Sequence, residues 1–432
     1  MERLLHYVWK NRLMPRSGLV TTEGLPVEVL SPGVHNKDAG PDFFCSDVVV
    51  GGEDWMGNVE IHTLSSDWYR HGHDQDKAYN NVVLHVVERA DRDVFTESGR
   101  KIPQLELKVP DYVVSNYEHL QVYEDYPPCY GIADSLPAIV SHQWIGRLAE
   151  ERLERKAAEI GKRLEFCESN WEQVLFITVA RALGFGVNND AFERLARGIP
   201  YFGIAKHRDN LFQIEAMLLG QAGLLDEAVM NESQKANMAA DDYFNALKRE
   251  YSFLANKFTL TPMNGCEWKF MRLRPQNFPT LRLAQFASLY HKQRLCLSAL
   301  VDTSSVKDVS KLFETEVSLY WQRHFTLCSE ETSPSLRQLS QASLDSMIIN
   351  AVVPTLFAYG RYRSSKKLTE KALRFLSDLD GEDNKYTRMW RKMGLTVANA
   401  RESQAALQLM TQYCLRKDCL RCQLGYQYIK RK

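Results

Sequence analysis

The 432-residue chain lacks a net charge: 54 basic and 54 acidic side chains cancel at neutral pH. That excludes a global electrostatic pull towards nucleic acid or an anionic membrane, so any such partner has to meet a local patch. A run of about 18 apolar residues, long enough for a membrane-spanning helix, is also missing. The first residues, MERLLHYVWKNRLMPRSG, are amphipathic and carry Glu2, without the apolar stretch and small-residue cleavage site of a secretory signal. Cysteine is scattered outside one C-terminal cluster, and its count of nine is odd. Without an export signal, that usage argues for a reducing, cytoplasmic setting and against a disulfide framework. No repeat of fixed period is present, which argues against a solenoid.

What is present is an ordinary globular composition, with 44% hydrophobic and 25% charged residues, over a length that suggests two or three domains. Residues 3–9 predict a short helix with Leu4, Leu5 and Val8 on one side. LPVEVLSPG, DFFCSDVVVGG, WMGNVEIHT, NVVLHVVE, DVFTE and IPQLELKVP read as strands, about six in all, separated by glycine, proline and acid turns. NVVLHVVE is apolar almost throughout, as a strand buried on both faces would be. Beyond Tyr112 the texture changes to a tyrosine- and proline-bearing connector. From about His142 the apolar spacing becomes helical and stays so to the end. The expected organisation is an α+β domain with a mixed sheet over 1–112, a connector over 113–141 and an all-α domain over 142–432.

One stretch carries chemistry. AGPDFFCSDVVVGGEDWMGNVEIH reads as two strands joined by a glycine–acid turn, with Asp42 on the first, Glu60 on the second and His62 two residues later. Side chains alternate along a strand, so Glu60 and His62 share a face, and the hairpin lets Asp42 approach Glu60. Two adjacent carboxylates repel unless a cation lies between them. Mg²⁺ takes oxygen ligands of this kind together with waters and substrate phosphate, which suits metal-assisted phosphodiester hydrolysis. Downstream, SDWYRHGHDQDKAYN supplies His71, His73, Asp74 and Asp76, with Tyr79 as a candidate nucleotide contact if the region resembles a nuclease. A different reading of the same region is a transition-metal site made by His62, His71, His73 and Asp74. The bland reading is a half-exposed sheet with polar teeth.

The order Pro41-Asp42, 17 intervening residues, then Glu60-Ile61-His62 resembles the PD-(D/E)XK nuclease superfamily. The resemblance implies a restriction-endonuclease-like sheet, Mg²⁺ or Mn²⁺ as cofactor, and Asp42 and Glu60 as its catalytic, metal-binding acids. It further implies the Ile61 carbonyl as a ligand and an upstream acid, Glu28 first and Glu23 second. Where the superfamily has a lysine this chain has His62, which is not a fixed positive charge; Lys77 or Lys37 would have to supply one. The E-x-K of LELK, Glu106 and Lys108, reads as an exposed strand face. Longer strings, HNKDAGPDFF, GNVEIHTLSSDWYRHGHD, ARALGFGVNNDAFERLA and RPQNFPTLRLAQFA, resemble an uncharacterised bacterial family known only as a domain of unknown function.

Two further patterns remain. Cys414, Cys419 and Cys422 have the spacing C-x4-C-x2-C, suited to Zn²⁺ or an iron–sulfur cluster if a fourth ligand joins them. Cys328, Cys296, Cys266 and His324 are the candidates; the alternative is a set of buried cysteines packing as small apolar groups. WKFMRLRPQNFPTLRLAQFA interleaves Lys269, Arg272, Arg274 and Arg282 with Trp268, Phe270 and Phe278. That pattern suits phosphate neutralisation and base stacking, or else simply a proline-locked helix start. The expected function is a metal-dependent nuclease acting on DNA or RNA, with no membrane partner. The rival is a non-catalytic nucleic-acid- or protein-binding scaffold that keeps the sheet.

Overall fold

The computed structural model describes residues 1–15, 17–36, 38–122, 127–132, 138–291, 295–392 and 394–432. Its contacts divide the chain into two units. The first comprises Met1–Ser141, Lys392–Leu395 and Leu409–Lys432, and the second His142–Arg391 and Thr396–Gln408.

The first unit is built on a seven-stranded mixed sheet. Helix α1 (Glu2–Lys10) precedes strands β1 (Leu19–Val20), β2 (Pro26–Ser31), β3 (Val34–His35), β4 (Phe43–Val50) and β5 (Glu53–Leu64). A short helix α2 (Asp67–Arg70) and two 3₁₀ turns lead to β6 (Val82–Arg89) and β7 (Gln104–Glu106). The order across the sheet is β1-β2-β4-β5-β6-β7, with β3 also on β4. Pairing is antiparallel as far as β5 and parallel from β5 through β6 to β7. The apolar β6 is buried from Val82 to Val87, as suits a strand with a parallel neighbour on each side. Helix α1 buries Leu4, Leu5, Val8 and Trp9 and packs on β5 and β6. Each such side chain contributes roughly 1.5–3 kcal/mol by leaving water.

Three expectations change here. DVFTE forms only a single bridge, Phe95 to Lys101, because the chain reverses at Gly99 before a ladder can grow. The segment read as a connector contains helix α3 (Asp111–Gln121) and a 3₁₀ turn, Pro128–Ile132. The cysteine-bearing tail belongs with these in the first unit. The Asn116 amide of α3 donates to Ile429 O (3.2 Å) and Arg431 O (2.8 Å), and so ties the C-terminal helix Gln423–Ile429 to α3.

The regular structure of the second unit is helical, beginning within α4 (Ala138–Phe166) at His142. Helix α5 (Trp171–Leu183) is apolar on nearly every side and central: Val174 through Ala180 are buried, and Phe176 stacks on Phe286 at 4.8 Å. Among the described residues one helix, Gln341–Tyr362, has the length and apolar character of a membrane span; most of it is buried inside the unit.

A buried acid makes this unit pH-sensitive. Glu215 is fully buried and accepts from the Tyr243 hydroxyl at 2.7 Å. Burial pushes its carboxyl up from 4.5 to about 7. Its stabilising contribution is complete below 4.5 and is lost as pH rises through about 7. The helical unit is therefore expected to be weaker by up to about 3 kcal/mol at about pH 8 than at about pH 4.5 from this group. Glu215→Gln should flatten that slope in urea unfolding at the two pH values; an unchanged slope would contradict the assignment.

Candidate metal centre on the N-terminal sheet

The site begins with a defect in the β4–β5 hairpin. From Phe43 to Ser46, β4 takes three steps while β5 takes two, from Val59 to Gly57. The extra residue is a β-bulge, and Cys45 within it has φ 52°. In an unbroken ladder Asp42 would fall opposite Ile61; the bulge sets it opposite Glu60, on the same face. The Asp42 N–H donates to Glu60 Oε2 (3.0 Å), and the Ile61 N–H donates to Asp42 Oδ2 (2.9 Å). Burial, and then the Glu60 charge, push the Asp42 carboxyl up to about 6, against the opposing pull of His6, whose Nε2 lies 3.5 Å from Oδ2. Gly33 lies against the bulge so closely that a Cβ there would meet Phe44 O and Ser46 Oγ at 2.5 Å.

Imidazoles close over the other side of Glu60. Its Oε1 is 3.2 Å from His73 Nε2 and 3.5 Å from His62 Nε2. His62 Nε2 is in turn 3.1 Å from His71 Nδ1. The donor atoms of His62, His71 and His73 all lie within 4.8 Å of one another. Gly72, at φ 75°, provides the left-handed turn that lets both flanking histidines reach the site. His73 is held by its ring stacking on Tyr79 at 3.8 Å and by the edge of Trp68 at 5.3 Å. His62 Nδ1 sits 2.9 Å from Nε2 of His85, which β6 presents beside Glu60. Burial, then crowding by neighbouring histidines, hold His62 down to about 2 and His85 to about 3, so both rings are neutral. Neutral imidazole is the form that ligates a metal. A first-row ion held at about 2.0–2.1 Å by four tetrahedral ligands has ligand–ligand edges of about 3.3 Å. Three pairs stand near that spacing: Glu60 Oε1 to His73 Nε2 (3.2 Å), Glu60 Oε1 to His62 Nε2 (3.5 Å) and His62 Nε2 to His71 Nδ1 (3.1 Å), and the three histidines alone are all mutually within 4.8 Å.

The two sequence readings of this region, which have His62 in common, thus come to share Glu60 as well. The histidines come together with Glu60 rather than with Asp74, one of whose carboxylate oxygens is buried without a bond. Asp76 caps the following 3₁₀ turn by accepting from the Ala78 N–H (2.9 Å). Tyr79 lies beneath His73 and is buried, so it faces no nucleotide. Ile61 contributes its N–H to Asp42. Glu28 pairs with Val49, seven residues along β4 from Asp42 and about 20 Å away at the strand rise, so it is not part of this cluster. Glu23 bonds Lys101 at 2.6 Å. Lys77 is exposed on its 3₁₀ turn, and Lys37 lies outside the described residues. In LELK, Glu106 accepts from the Ala90 N–H at 2.7 Å. His85 was missed in the sequence, although a lone polar residue inside a wholly apolar strand is a usable signal.

The basic stretch divides. Lys269, Arg272 and Arg274 are exposed. Arg282 is buried, bonded to Gln285 (2.9 Å) and Asn277 (2.6 Å), with its guanidinium over the Phe185 ring. Trp268 is buried as well and donates to Ala222 O. Pro279 opens the helix Pro279–Tyr290, as the proline-locked start predicts. Cys414, Cys419 and Cys422 fall in the first unit beside Cys129, whereas Cys266, Cys296, Cys328 and His324 belong to the second.

The fold and site define a two-unit chain: a mixed-sheet unit bearing a buried carboxylate–histidine cluster, and a helical unit. It belongs to the family described as a protein of unknown function, DUF2851, whose profile matches residues 2–385. No curated protein and no solved structure matches the chain.

The bulge is testable. Cys45→Gly is expected to keep or raise stability, since glycine adopts a positive φ freely. Cys45→Val should cost about 1–2 kcal/mol. Chemical denaturation reads both; equal stability of the two variants would contradict the register described.

Proposed function

We propose that this protein is a metal-dependent hydrolase of phosphodiester bonds in DNA or RNA, with a nitrogen-preferring first-row ion held by Glu60, His62, His71 and His73. The observation that carries the reading is the convergence of the His62, His71 and His73 donor atoms, two of them against Glu60 Oε1, beside Asp42. Three imidazoles suit Mn²⁺, Fe²⁺ or Zn²⁺ better than Mg²⁺, which prefers oxygen. The order of elements also supports a restriction-endonuclease-like unit. Asp42 stands just before one strand and Glu60-x-His62 on the next; a short helix, a His- and Asp-bearing segment and an apolar parallel strand follow. Here His62 stands in the lysine position as a ligand. A bound ion would polarise the scissile phosphate and lower the pKa of a water. Asp42, with a carboxyl pushed up to about 6 and its side chain 24% exposed, is placed to accept a proton near neutral pH. His71 is exposed and marks the open edge of the site. Within the helical unit, taken by itself, Lys269, Arg272 and Arg274 are exposed cations of the kind that neutralise phosphates.

The scaffold reading has one observation in its favour: Glu60 and His62 are only 5% and 2% exposed, which suits a sealed structural ion. Metal analysis and digestion of single- and double-stranded DNA and RNA with Mn²⁺, Zn²⁺ or Mg²⁺ separate the two. Wild type should carry about one equivalent of metal, with affinity reduced at least about 10-fold in His73→Ala and Glu60→Gln. Asp42→Asn should keep the metal and lose cleavage by about 100-fold or more. Metal bound with no cleavage of any substrate would establish the scaffold; no metal and no cleavage would remove the site altogether.

A further inference from the structure

The cysteines of the tail acquire a fourth member that their spacing does not reveal. Cys129 lies on the 3₁₀ turn Pro128–Ile132, Cys414 closes the wide turn Leu409–Cys414, Cys419 opens the 3₁₀ turn Cys419–Arg421, and Cys422 is the N-cap residue of the helix Gln423–Ile429. The Pro128–Ile132 turn packs on that helix, the helix on Cys419–Arg421, and Cys419–Arg421 on Leu409–Cys414. All four cysteines are buried and none is in a disulfide. Each lies within electrostatic reach of others: burial and then the Cys422 and Cys419 charges push Cys129 up, and burial and then Cys422, Cys129 and Cys419 push Cys414 up.

Buried thiols that merely pack need no hydrogen-bond donors. Two of these have them. The backbone N–H groups of Gly425 and Leu424 lie at the Cys422 sulfur and the Gln121 side chain at Cys419, while the Tyr130 hydroxyl, beside Cys414, donates to Met410 Sδ (2.9 Å). Such donors favour sulfur in its charged form. Gly425 allows the helix to start against this turn, since a Cβ there would meet Cys419 O at 2.2 Å. Four buried thiols whose charged forms would repel one another, two of them with donors at hand, form an environment that a bound cation completes by displacing the protons. Spacing indicates which kind. Among the described residues only His62, His71 and His73 bring three donor atoms within 4.8 Å of one another. No three of the four sulfurs are therefore mutually within 4.8 Å, whereas all edges of a tetrahedral zinc tetrathiolate are about 3.8 Å. A cluster that spreads its ligands over several iron atoms fits the wider spacing.

We propose that Cys129, Cys414, Cys419 and Cys422 ligate an iron–sulfur cluster. Ligation exchanges four S–H bonds for four S–Fe bonds and releases the protons to solvent, with no change in the oxidation state of the cysteine sulfurs. The helical unit lies in sequence between Cys129 and Cys414, so the cluster joins the two sequence-distant parts of the first unit. The inference does not depend on the proposed hydrolase activity. The test is iron and acid-labile sulfide analysis of the full chain purified without oxygen, together with visible absorption. About four of each per chain is expected for wild type and for the exposed-cysteine control Cys266→Ser, with loss of at least half in Cys129→Ser. One zinc per chain, metal-free wild type, or a full cluster retained in Cys129→Ser would each overturn it. The wild-type analysis decides even if Cys129→Ser does not fold.

Discussion

Glu60 is the residue on which the N-terminal unit turns. A carboxylate buried in a sheet needs partners, because an uncompensated charge in a low-dielectric interior is very costly. Its partners come from three places in the chain. The Asp42 backbone N–H holds one oxygen, and the His73 and His62 rings crowd the other. Satisfying Glu60 therefore fixes the start of β4, the face of β5 and the path of the His-Gly-His turn together. The bulge at Cys45 and the close approach of Gly33 belong to the same constraint, since without the extra residue Asp42 would face Ile61. Trp68, Tyr79 and His85 then form the apolar and aromatic wall that keeps His73 and His62 in place.

Local signals carried much of this. The glycine turn, the alternation of β5 and the apolar run of β6 predict the hairpin and the buried strand that the structure has, and period-two alternation correctly pairs Glu60 with His62. Two kinds of information were not local. The bulge is a one-residue change of register, and nothing in FFCSDVVV distinguishes it from a regular strand. The upstream acid failed for the same reason: Glu28 is adjacent to the motif in composition, but the β2–β4 register carries it to the other end of β4. Asp74 was grouped with the histidines by sequence proximity, and the structure substitutes Glu60, which only the folded sheet brings near.

The tail shows the same limit on a larger scale. Residues 409–432 follow a long helical region and read as its continuation, yet they belong with the sheet unit, tied through Asn116 of α3. Cys129, alone in a proline- and tyrosine-bearing stretch, carries no signal by itself; its significance is its position beside the three cysteines of the tail. The first unit thus gathers two donor sets of different softness, imidazole with carboxylate on the sheet and thiols beneath the C-terminal helix.

The central claim is that the imidazoles and Glu60 surround an ion rather than one another. Anomalous diffraction from crystals grown with Mn²⁺ or Zn²⁺, recorded at the edge of that metal, addresses it directly. The account predicts one peak within about 2.0–2.2 Å of Glu60 Oε1, His62 Nε2, His71 Nδ1 and His73 Nε2. No peak there, with the rings hydrogen-bonded to each other, or an ion held by Asp42 and Glu60 without the histidines, would contradict it.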